Sequence, residues 1–314
     1  MSEFDLIRRH FTRATPNTFL GIGDDAALLQ VNEGNVLVVS SDILISGIHF
    51  FPDAEPFKLG HKTLAVNLSD MAAMGGMPRW VTLSVALPDA DEPWLERFSS
   101  GFFELAQQHG VELVGGDTTR GPLTLCVTIL GEVPARHALR RSGAQIGDEI
   151  WISGTLGDAA LALAHLQGNI ELEACDYDCC ALALHQPQPR VSLGLALRGI
   201  ASSAIDVSDG LLGDLGHVLD ASEVGAEVEF DQLPASRVLR KIESFDRYIL
   251  SGGDDYELCF TAPAKWHAEI MGIGSRIGLP LACIGNIVAG RDCIVHDAAG
   301  NLFEAEAGSY DHFR

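Results

Sequence analysis

A polar, turn-rich stretch divides this chain into two halves, and each half alternates strand and helix patterns. The stretch covers residues 136–147 and contains Arg140-Arg-Ser-Gly-Ala-Gln-Ile-Gly-Asp148. Before it, residues 3–11 read as a short amphipathic helix and 36–42 as a β-branched apolar strand ending at Asp42. Leu64, Leu68 and Met71 recur at i, i+4 and i+7, which predicts a helix over 59–74 stopped by Gly75-Gly76. A strand over 80–87, a helix over 93–109 closed by Gly110, and strands over 111–114 and 123–133 follow. After the break the pattern predicts strands over 149–153, 203–207, 226–230, 248–250, 257–261, 281–288 and 293–296. Helices are predicted over 156–166, 178–200 (interrupted by Pro187 and Pro189), 211–221, 236–242 and 265–277. The expected fold class is α+β (mixed α/β) in two domains, 1–137 and 138–314, each a sheet with helices on one side. One internal echo, Glu112-Leu-Val-Gly-Gly-Asp117 against Ile249-Leu-Ser-Gly-Gly-Asp254, suggests related halves.

Charge narrows the function. Asp and Glu number 43 against 21 Lys and Arg, a net charge of −22. Such a surface repels phosphate backbones, so nucleic acid and anionic membranes are not expected partners. Lys58, Lys62, Lys241 and Lys265 are the only lysines. If the protein handles phosphates, metal ions rather than a lysine cluster must supply the positive charge. No apolar run has the ~18 residues needed to span a bilayer, and the N-terminus lacks a signal-peptide apolar region. The seven cysteines have no CxxC spacing and read as reduced buried thiols of a cytoplasmic protein.

Aspartate placement is the informative pattern. Apolar runs lead repeatedly into acids: Ser40-Ser41-Asp42, Gly115-Gly116-Asp117, Asp206-Val-Ser208-Asp209 and Gly252-Gly253-Asp254-Asp255. Asp24-Asp25 sits in a glycine turn, and Asp70 lies inside a helix, three residues after Asn67 and on the same side. Aspartate is a poor mid-helix residue, so Asp70 needs a reason to be there. Any one of these acids could be a cap or a turn residue. Together, with Gly or Ser beside them, they suit a hard oxygen site for Mg²⁺. Two carboxylates ~5 Å apart repel by roughly 3 kcal/mol at an effective dielectric of ~20, which a cation offsets.

Other machinery is absent from the sequence. There is no Walker-A loop, no protein-kinase HRD loop, no GxGxxG turn, and neither CxxC nor HExxH spacing. Taken singly, His49 reads equally as an ordinary solvated or core histidine, and Arg141 as an exposed linker arginine.

Nine segments, in order, resemble one known family. They are Gly21-Ile-Gly-Asp-Asp-Ala26, Ser40-Ser-Asp42, Gly47-Ile-His-Phe50, Ala65-Val-Asn-Leu-Ser-Asp-Met-Ala-Ala-Met-Gly75, Gly115-Gly-Asp-Thr-Thr-Arg-Gly121, Arg141-Ser-Gly-Ala144, Ile205-Asp-Val-Ser-Asp-Gly210, Ser251-Gly-Gly-Asp-Asp-Tyr-Glu-Leu258 and Tyr310-Asp-His-Phe313. The family is thiamine-monophosphate kinase, of the aminoimidazole ribonucleotide synthetase-like superfamily. The resemblance implies ATP-dependent phosphorylation of thiamine monophosphate to thiamine diphosphate by direct in-line transfer. It implies a homodimer built through the N-terminal domains, ATP as co-substrate and several Mg²⁺ ions, with a monovalent cation such as K⁺ as a candidate addition. The residues matching metal ligands are Asp25, Ser40, Ser41, Asp42, Asp70, Asp117, Asp206 and Asp209. Of these, Asp70, Asp117 and Asp209 are the expected catalytic acids. Gly116, Asp117, Arg141 and Ser208 match nucleotide contacts; His49, Asp254 and Tyr310 match substrate contacts. Two positions depart from the family: Asp254 stands where Glu is usual, and Ser41 where Thr is common. The rival readings are a sister enzyme of the superfamily and a non-catalytic nucleotide or Mg²⁺ binder. A selenophosphate synthetase would carry a reactive Cys near the N-terminus, and none precedes Cys126.

Overall fold

The computed structural model describes residues 3–303, and the chain divides into two compact units. One unit comprises the residues up to Met71 together with Gly76–Arg136; the other comprises Ala72–Gly75 together with the chain from His137 onward. Each sheet carries its helices as the alternation predicts, and the fold is mixed α/β.

The first unit begins with helix α1 (Glu3–Leu6), which runs on as a π-turn over Ile7–Phe11. Strand β1 (Asn35–Ile45), helix α2 (Pro56–Ala73), strand β2 (Met77–Leu87), helix α3 (Glu92–His109), and strands β3 (Glu112–Arg120) and β4 (Thr124–Pro134) follow. The sheet order is β1-β4-β2-β3, with β2 and β3 parallel and the other pairs antiparallel. Helix α3 starts where the sequence says it must. Asp91 accepts a hydrogen bond from Trp94 N (3.2 Å), Pro93 sits in the first turn, and Gly110 closes the helix at φ 64°. Leu64, Leu68 and Met71 of α2 are wholly buried, as are Phe98 and Phe102 of α3. Each such side chain contributes about 2 kcal/mol of burial.

The second unit contains β5 (Asp148–Ser153), α4 (Asp158–Leu166), α5 (Ala174–His185), α6 (Val191–Ala196), β6 (Ser203–Val207), α7 (Leu211–Ser222) and β7 (Gly225–Glu229). It continues with α8 (Asp246–Ser251), β8 (Glu257–Pro263), α9 (His267–Ile277), β9 (Leu281–Val288) and β10 (Cys293–His296). The sheet order is β10-β7-β9-β5-β8-β6, mixed because only β10 and β7 pair in parallel. Its core joins Ile150 and Ile152 of β5 to Leu211, Leu215 and Val218 of α7.

Four expectations are corrected. Residues 248–250 are helical, not extended: Tyr248, Ile249 and Leu250 are all buried in α8. A three-residue apolar run has no period long enough to separate strand from helix. Over the predicted helix 236–242, regular structure is a short 3₁₀ turn, Leu239–Lys241. Asp42 and Asp117 are inside β1 and β3 rather than at strand ends. Alternation resumes beyond Asp42 with Ile43-Leu44-Ile45, and Gly115-Gly116 stay extended because β2 supplies their partners. The Glu112–Asp117 echo is therefore not structural, since its first copy is strand while its second runs from α8 into a loop.

Candidate active site

In the first unit the alternation of β1 puts Ser40 and Asp42 on one face. That face meets α2 at Asp70. Ser40 Oγ donates to Asp70 Oδ2 at 2.5 Å. Burial and the neighbouring Asp70 carboxylate push the Asp42 carboxyl up to about 7, where a protonated Asp42 donates to Asp70. One turn earlier on α2, Asn67 is 1% exposed, donates through Nδ2 to Thr63 O (3.1 Å), and leaves its Oδ1 buried without a partner. Two facing carboxyls and a hydroxyl form an all-oxygen donor set, which suits a hard divalent cation. Among the described residues no group of three or more His, Cys, Asp or Glu side chains converges on one metal position. Two carboxyls alone would leave most of a Mg²⁺ shell to water and substrate phosphates.

Of the other expected residues of this unit, Ser41 and Asp117 are placed apart from that pair. Ser41 faces the opposite side of β1, where its hydroxyl donates to Val127 O at 3.0 Å. Asp117 is exposed on β3, with Oδ1 accepting from Thr118 N at 2.9 Å. Across the sheet it shares a rung with Ser84, Cys126 and Ile43, so β3 is three strands, about 14 Å, from β1. Gly116 has φ 150°, and a Cβ there would stand 1.9 Å from Leu83 O, so only glycine lets β3 approach β2 this closely. Asp25 is exposed in the long loop before β1, its N–H bonded to Asp24 Oδ1 at 2.9 Å. His49 Nδ1 accepts from Ile45 N at 3.0 Å. The neutral ring therefore carries its proton on Nε2, as a donor.

In the second unit two acid-bearing loops stack through their backbones. Asp206, next to last in β6, is buried, and Ser208-Asp209-Gly210 leads into α7. The Gly252–Tyr256 segment crosses it: Asp254 N donates to Ser208 O, and Tyr256 N to Val207 O, each at 2.8 Å. A Cβ on Gly253 would come within 2.6 Å of Ser208 O, so the contact requires glycine there. Asp254 has φ 70°, and its Oδ1 accepts from Tyr256 Oη at 3.1 Å.

Two residues that sequence reasoning missed hold these loops. Asp214, buried in the first turn of α7, accepts from both Ser208 N and Asp209 N at 3.0 Å. Burial pushes its carboxyl up to about 6 against those two bonds. Asp255 is buried and accepts from Gly157 N, and burial holds its carboxyl well above the ordinary range. Asp255 was readable only as half of an Asp-Asp pair, and Asp214 as one more helix acid. Arg141 is exposed, and its carbonyl accepts from Ser222 Oγ (3.2 Å) at the far end of α7 from Ser208. That end is about 18 Å along the helix, so Arg141 is not brought to Ser208 or Asp209. Tyr310 lies outside the described residues.

Comparison with known proteins decides the family. Residues 23–133 match the AIR synthase related protein N-terminal domain, and 145–298 match its C-terminal domain. The thiamine-monophosphate kinase of Escherichia coli (strain K12) is 46% identical over 320 residues, covering 99% of this chain and 98% of its own. This chain belongs to the thiamine-monophosphate kinase family. Among solved members, the thiamine-monophosphate kinase of Stenotrophomonas maltophilia K279a superposes with a TM-score of 0.85 at 50% identity, covering 93% of this chain and 94% of its own. AaThiL, solved in complex with AMPPCP and TMP, superposes with a TM-score of 0.78 at 28% identity, covering 99% and 96%. The family's two-domain plan accounts for both sheets. Among the described residues no helix is long and apolar enough to cross a membrane.

Proposed function

We propose that this protein transfers a phosphoryl group from ATP to thiamine monophosphate, giving thiamine diphosphate. The observation that carries the reading is the likeness, over nearly the whole chain, to AaThiL complexed with AMPPCP and TMP. Donor and acceptor are both phosphates, so their mutual repulsion is the main obstacle. Such transfers depend on in-line positioning and charge stabilisation more than on covalent help. Asp42, Asp70 and Ser40 would hold Mg²⁺, with Asp25, Asp117, Asp206 and Asp209 as the further metal ligands; the Ser41 side chain, turned to the opposite face of β1 and bonded to Val127 O, does not join Asp42 and Asp70. Bound there, Mg²⁺ supplies the positive charge that a lysine-poor chain lacks. Asp70, Asp117 and Asp209 are the acids on which turnover depends; Gly116 and Asp117 in the first unit and Ser208 in the second are the nucleotide contacts, and Arg141, at the far end of α7 from Ser208, is not among them.

No general base is needed. The acceptor is a phosphate monoester with a second pKa of ~6, so above about pH 7 its oxygen already carries the attacking charge. His49 fits this chemistry. The lone pair on Nδ1 that would take a proton is engaged by Ile45 N–H, so the ring is placed to orient substrate and not to abstract a proton. Asp254 and Tyr310 complete the substrate contacts in this reading.

The active species is a homodimer through the first unit. Leu37, Val39 and Ile43 share one face of β1 and are 45%, 54% and 50% exposed, an apolar strip that a second copy would cover.

The test is turnover of purified protein with ATP, Mg²⁺ and thiamine monophosphate, read as thiamine diphosphate formed. Asp70→Asn keeps the side chain's size and should lower kcat by about 100-fold or more. A folded Asp70→Asn protein with wild-type turnover would remove Asp70 from the site.

A further inference from the structure

The loop that carries Asp25 is held at both ends by buried glutamates. It spans residues 12–34, between the π-turn and β1, and has little regular structure of its own. Its internal pairing is limited to two isolated bridges, Ile22–Asp24 and Leu20–Leu28, the latter with N···O distances of 3.4 and 2.9 Å. Apolar burial does not anchor it at Phe19 or Leu28, which are 79% and 59% exposed. Buried carboxylates hold the ends instead.

At the first end, Glu112 Oε1 accepts from Asn17 N (2.8 Å) and Asn17 Nδ2 (2.9 Å), while Oε2 accepts from Thr18 Oγ1 (2.5 Å). Trp80 Nε1 donates to the same Thr18 hydroxyl at 3.0 Å. At the second end, Glu132 Oε2 accepts from Asn32 N (3.3 Å), Asn32 Nδ2 (2.8 Å) and Asn35 Nδ2 (2.8 Å). Arg79 stands 3.7 Å from its Oε1. Both glutamates are at most 9% exposed and sit on the sheet beside the start of β2, Glu112 opposite Trp80 and Glu132 opposite Met77. A strand position facing the interior ordinarily takes an apolar residue. A buried carboxylate is tolerated only when hydrogen bonds compensate it, and here the loop supplies them.

We propose that Glu112 and Glu132 are positioning residues that fix both ends of this loop and thereby set where Asp25 meets the metal. The inference rests on the reading of Asp25 as a metal ligand given above. Neither glutamate bonds Asp25 itself, so the effect belongs at the low end of the roughly 10- to 100-fold change in metal affinity that removing a direct outer-shell partner typically causes.

Two readouts test it. One is the Mg²⁺ concentration giving half the thermal stabilisation seen with saturating AMPPCP and Mg²⁺. The other is the rate of chymotryptic cleavage after Phe19 in metal-free protein. Glu112→Ala and Glu132→Ala should each raise half-saturating Mg²⁺ about 10-fold and speed cleavage, and Glu112→Gln, which keeps an acceptor for Asn17, should restore most of both. Should Glu112→Ala fail to fold, Asn17→Ala and Thr18→Val remove the same bonds from the loop side. Asp25→Ala should raise half-saturating Mg²⁺ without speeding cleavage, and adding Glu112→Ala to it should raise it no further. If Asp25→Ala raises half-saturating Mg²⁺ and the glutamate variants only lower thermal stability, the glutamates merely support the fold and the inference is overturned. If Asp25→Ala itself leaves the Mg²⁺ requirement unchanged, the metal role of Asp25 fails, and the inference falls with it.

Discussion

Replacing Asp42 with Asn should stabilise the metal-free protein, and only at the pH where the Asp42–Asp70 pair must ionise. Asp42 moves from an ordinary value of 3.8 to about 7 in the folded chain, through burial and the adjacent Asp70. That difference corresponds to about 4 kcal/mol for the pair as a whole, an upper figure because folding also adjusts around it. The sign follows from proton counting. Below about pH 4 both folded and unfolded chains hold the proton, and the pair costs nothing. Between there and about 7 the folded chain retains a proton that the unfolded chain has released. Stability therefore falls with rising pH, by at most ~1.4 kcal/mol per unit. Above about 7 the full cost is present, and a bound cation is what offsets it.

The assay is thermal unfolding in EDTA at pH 5 and pH 8, wild type against Asp42→Asn. At ~2–4 °C per kcal/mol for units of this size, the variant's advantage should grow by several degrees between the two values. Adding Mg²⁺ and AMPPCP at pH 8 should then raise the wild-type Tm far more than that of the variant, by mass action on a site only the wild type retains. Comparing the two pH values cancels whatever else the amide changes. An advantage of the same size at pH 5 and pH 8 would refute the reasoning, because the two carboxyls would not be facing each other in the folded chain.

Three further outcomes are expected. His49→Asn should raise the KM for thiamine monophosphate more than it lowers kcat, while the acidic limb of the pH profile stays with the substrate's own pKa; loss of that limb would make His49 a base. Asp255→Asn should flatten the fall in stability from pH 5 to pH 8, because the raised carboxyl of Asp255 favours the folded state only while protonated; unfolding curves as steep in pH as the wild type's would contradict this. Val39→Glu places a charge in the exposed β1 strip and should convert the dimer to monomer in sedimentation; an unchanged dimer would move the interface elsewhere.

Much of the frame was legible because period and punctuation agreed. Gly75-Gly76 ends α2, Asp91 and Gly110 bracket α3, and the Leu64–Leu68–Met71 spacing marks the face that packs. Of the candidate site, the pairing of Asp42 with Asp70 was foreshadowed by an aspartate where a helix would not choose one. The side of the sheet was harder to read. Ser40, Ser41 and Asp42 are consecutive, but a period of two sends Ser41 to the opposite face, and nothing in the triplet says which face meets α2. The holding residues were illegible for a different reason. Glu112, Glu132 and Asp214 mark their role through hydrogen bonds to backbone or amide groups that are remote in sequence or belong to residues of any type. Tyr248–Leu250 failed on length, since three apolar residues fit the inside of either element.

An aspartate suits the backbone at position 254. The residue sits at φ 70°, in the left-handed region that disfavours most side chains and that Asp and Asn tolerate best. That conformation is imposed by the stacked loops: Asp254 N must reach Ser208 O, and the Gly252-Gly253 approach leaves no room for a wider turn. The shorter side chain is then kept in place by the Tyr256 hydroxyl on Oδ1. A glutamate here would gain a methylene of reach and lose the local compatibility that an aspartate has with a left-handed backbone. The same loops fix Ser208 and Asp209 through Asp214, so a change at Asp254 is transmitted first to the backbone it shares with them. The backbone at Asp254 and at Ser208-Asp209 is thus coupled through hydrogen bonds, and the acid at position 254 has to suit its φ as well as its charge.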